Sequence, residues 1–191
     1  MSMCRENVIA VTNRKLVQGS LLRQIEKIFA AGVKKLILRE KDLSPQEYFY
    51  LAKEVMELGA ADHADVILHF FVEEAIALGA ESIHLPLGRA VKYRESLKRF
   101  QTVGISTHSP EQVRQAEELG ADYVTFGHVF ATDCKKGCPP KGIEALREVC
   151  EATELAVYGL GGINKENCWQ VLDAGAAGYC MMSEVMRADF G

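Results

Sequence analysis

The 191-residue sequence contains no apolar run that approaches the roughly 20 residues needed to cross a bilayer, so no membrane-spanning segment is expected. It also lacks an excess of basic residues. The 22 Lys and Arg stand against 26 Asp and Glu, which gives a net charge of −4 and argues against a nucleic-acid-binding surface. Residues 1–7 contain no apolar stretch of the kind found in a secretory signal. Disorder is not expected either, because apolar residues make up 48% of the chain.

Cysteine is present but lacks the spacings that mark a metal or redox site. The six cysteines include no C-x-x-C pair. Cys134 and Cys138 lie four apart, and no second pair follows at zinc-finger spacing. A chain of this length with an ordinary apolar content needs no disulfides to stabilise it. We therefore expect reduced, mostly structural thiols in a cytoplasmic protein, folded as one domain over residues 1–191.

Short, nearly continuous apolar runs recur along the chain, each followed by a loop and a helical stretch. Such runs are typical of parallel strands that are buried on both faces. Gly32, Gly79, Gly120 and Gly175 each follow a helical stretch, where glycine suits the left-handed residue that ends a helix. Eight strands are predicted, over residues 7–12, 36–39, 65–69, 82–85, 102–106, 123–126, 155–158 and 178–182.

The alternation of strands with helices predicts an α/β protein. Eight repeated units favour a closed (β/α)8 TIM barrel, and an open doubly wound sheet is the alternative. Two helix starts are marked by Ser44 and Ser109, each followed by proline, and Glu47 completes a capping box with Ser44. Only residues 183–191 follow the last strand. Either the last helix is one or two turns long, or another subunit covers that side of the barrel.

Polar side chains collect after the predicted strands, where barrel enzymes hold their active sites. Four of the five histidines fall there: His69, His84, His108 and His128. A single histidine near a strand end is more often structural than catalytic. Several on one face favour proton transfer, because imidazole titrates near neutral pH. A metal site built from histidines alone is the weaker alternative, since no carboxylate stands at a companion position.

Gly161 and Gly162 follow the seventh strand. In many barrels the loops after strands seven and eight bind phosphate through backbone N–H groups, and glycine lets that backbone approach closely. The alternative is a glycine-rich turn that binds nothing. The charged stretch 133–141 is interpreted either as a solvated loop or as a mobile lid from which Lys135 or Lys136 reaches an anionic substrate.

A series of motifs recurs in the order found in the thiamine phosphate synthase superfamily, which the chain resembles from about residue 7 to 188. The motifs are LREKDLS (38–44), STHS (106–109), GADYV (120–124), FG (126–127), VF (129–130), GGI (161–163) and MS (182–183). The superfamily fold is a (β/α)8 barrel, in agreement with the strand count. One branch contains synthases that join a pyrimidine diphosphate to a thiazole phosphate with Mg²⁺. The TenI branch contains thiazole tautomerases, which use no metal.

The resemblance implies a set of residues that bind phosphate-bearing substrates. Arg39 and Lys41 match positions that hold the diphosphate in synthases. The predicted substrate-binding set is completed by Ser106, Thr132, Lys135, Gly161, Gly162, Met182 and Ser183.

The metal ligands of the synthases have no counterpart in this pattern. Where synthases carry Asn-Asp after the third strand, this chain has His69 and Phe70. The second metal-binding aspartate aligns with residues 87–89, Leu-Gly-Arg. Mg²⁺ prefers hard oxygen ligands, which phenylalanine and arginine cannot supply. No metal or other cofactor is therefore expected. If the chain is instead a synthase, Mg²⁺ is the expected cofactor.

The motif after the sixth strand favours the TenI branch, because His128 stands where synthases typically carry proline. The resemblance implies that His128 is the acid/base residue. We therefore expect a thiazole tautomerase, an isomerase that aromatises a carboxythiazole phosphate through a His128-mediated 1,3 proton shift. The alternatives are a thiamine phosphate synthase and a non-catalytic protein that binds thiazole or thiamine phosphate. The expected partners are a small-molecule thiazole phosphate and, as is common in the family, a second copy in a homodimer.

Overall fold

The computed structural model describes residues 7–132 and 137–190. Within these residues eight parallel strands pair in chain order and close into a barrel. The strands are β1 Val8–Val11, β2 Lys35–Leu38, β3 Asp65–His69, β4 Ser82–Pro86, β5 Thr102–Thr107, β6 Tyr123–Gly127, β7 Ala156–Leu160 and β8 Gly178–Met181. The predicted (β/α)8 barrel is confirmed. The open sheet is excluded, because β1 pairs with β8, with Val8 opposite Tyr179.

Helices occupy the connections between the strands and pack around the outside of the barrel. A short 3-10 turn, Arg14–Leu16, precedes the first of them. The α-helices among the described residues are α1 Leu21–Ala30, α2 Pro45–Ala61, α3 Val72–Ala77, α4 Leu87–Lys92, α5 Arg94–Leu97, α6 Pro110–Glu118, α7 Gly142–Glu151, α8 Cys168–Asp173 and α9 Ser183–Arg187.

The starts of α2 and α6 follow from their capping residues. Ser44 accepts a hydrogen bond from the backbone N–H of Glu47, whose side chain accepts from the N–H of Ser44, so the predicted capping box is present. Ser109 accepts from the N–H of Gln112 in the same way. These caps fix where the chain turns from a loop into a helix, and so fix the ends of the loops after β2 and β5.

The buried apolar residues form two separate cores. The larger lies between the sheet and the helices and includes fully buried Tyr48 and Phe126. A smaller one lies inside the barrel and is formed by Ile9, Val11, Ile37, Ile67, Tyr123 and Cys180. This inner core fills the interior of the barrel, so no pore runs through it. The polar groups lie beyond the inner core, at the carboxyl ends of the strands.

The last helix is short, as predicted. Helix α9 has five residues, and the buried side chain of Gln24 from α1 donates to the carbonyls of Val185 at 2.7 Å and Ala188 at 3.0 Å. Contacts within the chain therefore hold this end of the barrel. None of the helices in the described part of the chain combines the length and apolar character that crossing a membrane requires.

Candidate functional site

A cavity of about 550 Å³ opens at the carboxyl ends of the strands. Its lining includes every predicted site residue that the structure describes, namely Arg39, Lys41, Ser106, His128, Thr132, Gly161, Gly162, Met182 and Ser183. Lys135, the remaining predicted residue, lies outside the described residues. The structure thus brings distant parts of the sequence together, while the roles of these side chains stay predictions.

One wall of the cavity, here called the glycine wall, consists of Gly161 and Gly162 in the turn after β7. Their φ angles are 99° and 66°, in a region that other residues rarely adopt. A Cβ atom on Gly161 would lie 2.4 Å from the Cβ of His128, and one on Gly162 would lie 2.4 Å from the carbonyl oxygen of Ala131. Behind the wall, Asn167 donates its side-chain N–H to the Gly162 carbonyl at 2.9 Å. Both conformation and packing therefore require glycine here.

A second wall, the cation wall, consists of Arg39 and Lys41 in the loop after β2. Between them, Glu40 is only 2% exposed and accepts hydrogen bonds from the backbone N–H and from Nη1 of Arg14, both at 2.9 Å. Asp42 accepts two more from the same guanidinium, at 2.7 and 3.0 Å. Hydrogen bonding to Arg14 holds the pKa of Asp42 well below its usual range. Glu40 thus ties the loop after β2 to the turn after β1.

The histidine corner consists of His69, Phe70 and Arg89. His69 ends β3, and its backbone N–H donates to the Tyr48 hydroxyl at 2.8 Å. Arg89 covers Phe70, because its guanidinium carbon lies 3.7 Å from the ring centroid and its Nε donates to the Phe70 carbonyl at 2.5 Å. Phe70 has a φ of 76°, which is rare for a bulky residue. Burial, followed by neighbouring cationic groups, lowers the pKa of His69 well below its usual value.

A buried hydrogen-bonded chain lies beneath the cavity between β4, β5 and β6. The Nδ1 atom of His84 lies 3.0 Å from the Tyr123 hydroxyl, and its Nε2 lies 2.8 Å from the Ser106 hydroxyl. Burial lowers the pKa of His84 to about 3, so the ring is neutral near pH 7. A neutral imidazole donates through one nitrogen and accepts through the other. His84 therefore orients the hydroxyl of Ser106, which lines the cavity.

The loop after β6 supplies His128, which is 6% exposed and lines the cavity. Its Nε2 donates to the carbonyl of Cys138 at 3.3 Å. Its Nδ1 is buried without a partner among the described residues. His108 also lines the cavity and donates from Nδ1 to the Gly127 carbonyl at 2.7 Å. The predicted grouping of histidines at one end of the barrel is therefore observed.

The oxygen donors of the cavity do not fit a magnesium site. Among the lining residues that the structure describes, Glu184 is the one carboxylate, whereas Arg39, Lys41 and Arg187 carry positive charge. No group of three His, Cys, Asp or Glu side chains within residues 7–132 and 137–190 is placed to hold a metal ion. Mg²⁺ requires an octahedral set of oxygens that usually includes one or two carboxylates. The described lining residues therefore do not fit Mg²⁺.

Several residues that build the site were not predicted from the sequence. The pair of Arg14 and Glu40 joins positions 26 apart, a spacing that follows no motif. Arg187 lines the cavity from α9, and the charge pattern of so short a helix gives no sign of it. Thr125 could have been predicted, because residues that point into a barrel alternate along each strand and Thr125 lies two residues before Gly127.

Comparison with known proteins gives consistent matches along the whole barrel. Residues 8–185 match the family model described as thiamine monophosphate synthase. A thiamine-phosphate synthase of Syntrophomonas wolfei is 34% identical over 188 residues, which cover 93% of this chain and 87% of that protein. A putative thiamine-phosphate synthase 2 of Aquifex aeolicus is 36% identical over 182 residues, which cover 92% and 96%. A thiamine phosphate pyrophosphorylase from Pyrococcus furiosus has a similar structure, with a TM-score of 0.84, 27% identity and coverage of 97% of this chain and 89% of that chain.

These matches show that the prediction of a thiazole tautomerase, an isomerase, is wrong. The relatives are named as synthases, which are transferases, and the synthase was the alternative interpretation of the motifs. The tautomerase prediction depended on a single position. His128 stands where a synthase is expected to carry proline, but the similarity to synthases covers nearly the full length of the chain. The acid/base role of His128 rested on the tautomerase and loses its basis, although the ring does line the cavity.

Proposed function

Because the chain belongs to the thiamine monophosphate synthase family, we propose that it is a thiamine-phosphate synthase. Such a transferase joins a pyrimidine diphosphate to a thiazole phosphate and releases pyrophosphate. The main support is that two walls suited to anions, the glycine wall and the cation wall, line a single cavity of about 550 Å³. A cavity of this size accommodates small organic ligands. Two phosphate-bearing substrates need two such walls.

The two walls have separate tasks in this proposal. The glycine wall, together with the Ser183 hydroxyl, holds the single phosphate of the thiazole, because backbone N–H groups and a hydroxyl bind anions without a full charge. The cation wall holds the diphosphate. As the bond to the diphosphate breaks, negative charge develops on the departing pyrophosphate, and cations that are already in place stabilise this charge. Ser106, oriented by His84, offers a hydrogen bond to a polar atom of a bound heterocycle.

The direct test is the formation of thiamine phosphate from the two substrates by the purified chain, followed by chromatography. Arg39→Met should lower kcat/KM by about 100-fold or more, because it removes a charge that acts on the leaving group. The matched control is Arg94→Met, since the Arg94 side chain is 69% exposed and lies outside the cavity lining. If the unaltered chain binds both substrates and forms no product, the synthase proposal is wrong and the chain is a binding protein.

A further inference from the structure

Among the described residues that line the cavity, positive charges outnumber negative ones. Arg39, Lys41 and Arg187 line it, and Glu184 is the single carboxylate among the described lining residues. Glu184 is exposed at the start of α9. A divalent cation placed here would meet like charge, whereas a multiply charged anion would meet opposite charge on the cation wall.

The two carboxylates nearest to the cation wall in the sequence, Glu40 and Asp42, are both paired with Arg14. Glu40 stands between Arg39 and Lys41, but it is buried. Both of its oxygens accept hydrogen bonds from Arg14, one from the backbone N–H and one from Nη1. Glu40 is also absent from the cavity lining, so its carboxylate does not face an ion bound in the cavity. Glu40 therefore supports the cation wall rather than offsetting its charge.

The histidine corner has aromatic and imidazole rings at positions where a magnesium site would need oxygen ligands. The ring of His69 is nearly parallel to the rings of His84 and Phe70, with centroid distances of 6.0 and 6.2 Å. The carbonyl oxygen of Phe70 accepts from Arg89. The lowered pKa of His69 is consistent with these surroundings, because burial and nearby cations both oppose the addition of positive charge.

From this arrangement we propose that the cavity binds pyrophosphate without a divalent cation, with Arg39 and Lys41 supplying the charge that a metal ion would otherwise supply. The inference rests on the proposed function, because pyrophosphate is the product that the synthase reaction releases. It goes beyond the proposed function because it states which groups offset the negative charge of pyrophosphate. It predicts that metal chelation leaves binding of the anion intact.

The test is calorimetric titration of the full chain with inorganic pyrophosphate, first in EDTA and then with excess MgCl₂. We expect saturable binding in EDTA and a change of less than about threefold on adding Mg²⁺. Lys41→Met should weaken binding by about tenfold or more, since it removes a charge-assisted contact. Lys98→Met is the matched control, because the Lys98 side chain is 78% exposed and pairs with Glu95 at 3.2 Å, outside the cavity lining. It should bind pyrophosphate as the unaltered chain does.

A second measurement uses Mn²⁺ alone as a probe, detected by electron paramagnetic resonance. The unaltered chain should show no tight Mn²⁺ site. The double variant Phe70→Asp, Arg89→Ala adds a carboxylate and removes the neighbouring cation, and aspartate tolerates a positive φ better than phenylalanine does. This variant should bind Mn²⁺ and should bind pyrophosphate more tightly when Mg²⁺ is present. If it fails to fold, the titrations of the unaltered chain and of Lys41→Met still decide the question.

The outcomes separate this inference from the proposed function. Pyrophosphate binding that requires Mg²⁺, or that Mg²⁺ strengthens by about threefold or more, overturns the inference even if thiamine phosphate is formed. Absence of binding in both buffers also overturns it. Binding in EDTA by a chain that forms no thiamine phosphate supports the inference and contradicts the proposed function.

Discussion

The glycine wall and the cation wall line the same cavity but are built in different ways. The glycine wall is made of backbone, and its shape follows from the two positive φ angles of Gly161 and Gly162. The cation wall is made of side chains, and its position depends on Glu40, which is held by Arg14 from another loop. One added methyl group should therefore disturb the packing of the glycine wall. Loss of a distant hydrogen-bond partner should instead disturb the position of the cation wall.

The largest effect is expected from adding a methyl group to the glycine wall. Gly162→Ala would place a Cβ 2.4 Å from a backbone oxygen at a φ of 66°. Strain and overpacking together should lower the free energy of unfolding by about 3 kcal/mol or more. The matched control is Gly79→Ala, since Gly79 has a φ of 67° and nothing within 4 Å of an added Cβ. It should cost about 1 kcal/mol. Equal losses in urea denaturation would show that packing contributes nothing at the glycine wall.

The support of the cation wall gives the next largest effect. Glu40→Gln removes the charge of a buried carboxylate that Arg14 contacts twice. We expect the free energy of unfolding to fall by about 2 kcal/mol, with weaker binding of pyrophosphate because Arg39 and Lys41 lose their fixed loop. Glu95→Gln is the control, because Glu95 forms an exposed pair with Lys98 and should change stability by less than about 0.5 kcal/mol. An affinity for pyrophosphate that Glu40→Gln leaves unchanged would show that the cation wall needs no such support.

Lowering the pH should reduce the free energy of unfolding through the buried imidazoles. The glycine wall should not contribute, because it has no titratable group. The pKa of His84 is about 3 in the fold, against an ordinary 6.5. Below pH 6.5 the unfolded chain binds a proton at His84 that the folded chain does not, so stability is lost as the pH falls from about 6.5 toward 3. At pH 5 the loss from this residue is at most about 2 kcal/mol. In urea denaturation at pH 7.5 and 5.0, His84→Asn should show a smaller difference in stability than the unaltered chain. The same difference in both would contradict this account.

The two walls also differ in how far the sequence predicts them. Two adjacent glycines after a predicted strand indicate a backbone turn, so the glycine wall could be located from the order of residues alone. The eight strands could be located too, because buried parallel strands leave continuous apolar runs. The support of the cation wall could not be predicted, since the bond between Arg14 and Glu40 depends on how two loops meet after the barrel closes. The prediction of a tautomerase was wrong for a related reason. It depended on one residue, His128, and a single residue does not determine what the whole cavity binds.

The smallest effect concerns the histidine corner. Arg89→Lys keeps a positive charge but loses the planar guanidinium that stacks on Phe70 and the Nε–H that donates to its carbonyl. We expect stability to fall by about 1 kcal/mol and the affinity for pyrophosphate to change little, since Arg89 supports the corner from outside the cavity lining. Arg94→Lys, at an exposed position, is the control and should change neither quantity. A fall in pyrophosphate affinity of tenfold or more in Arg89→Lys, with stability preserved, would mean that the corner binds the anion directly. The cavity would then have a third anion-binding wall, and the contrast between a backbone wall and a side-chain wall would no longer describe it fully.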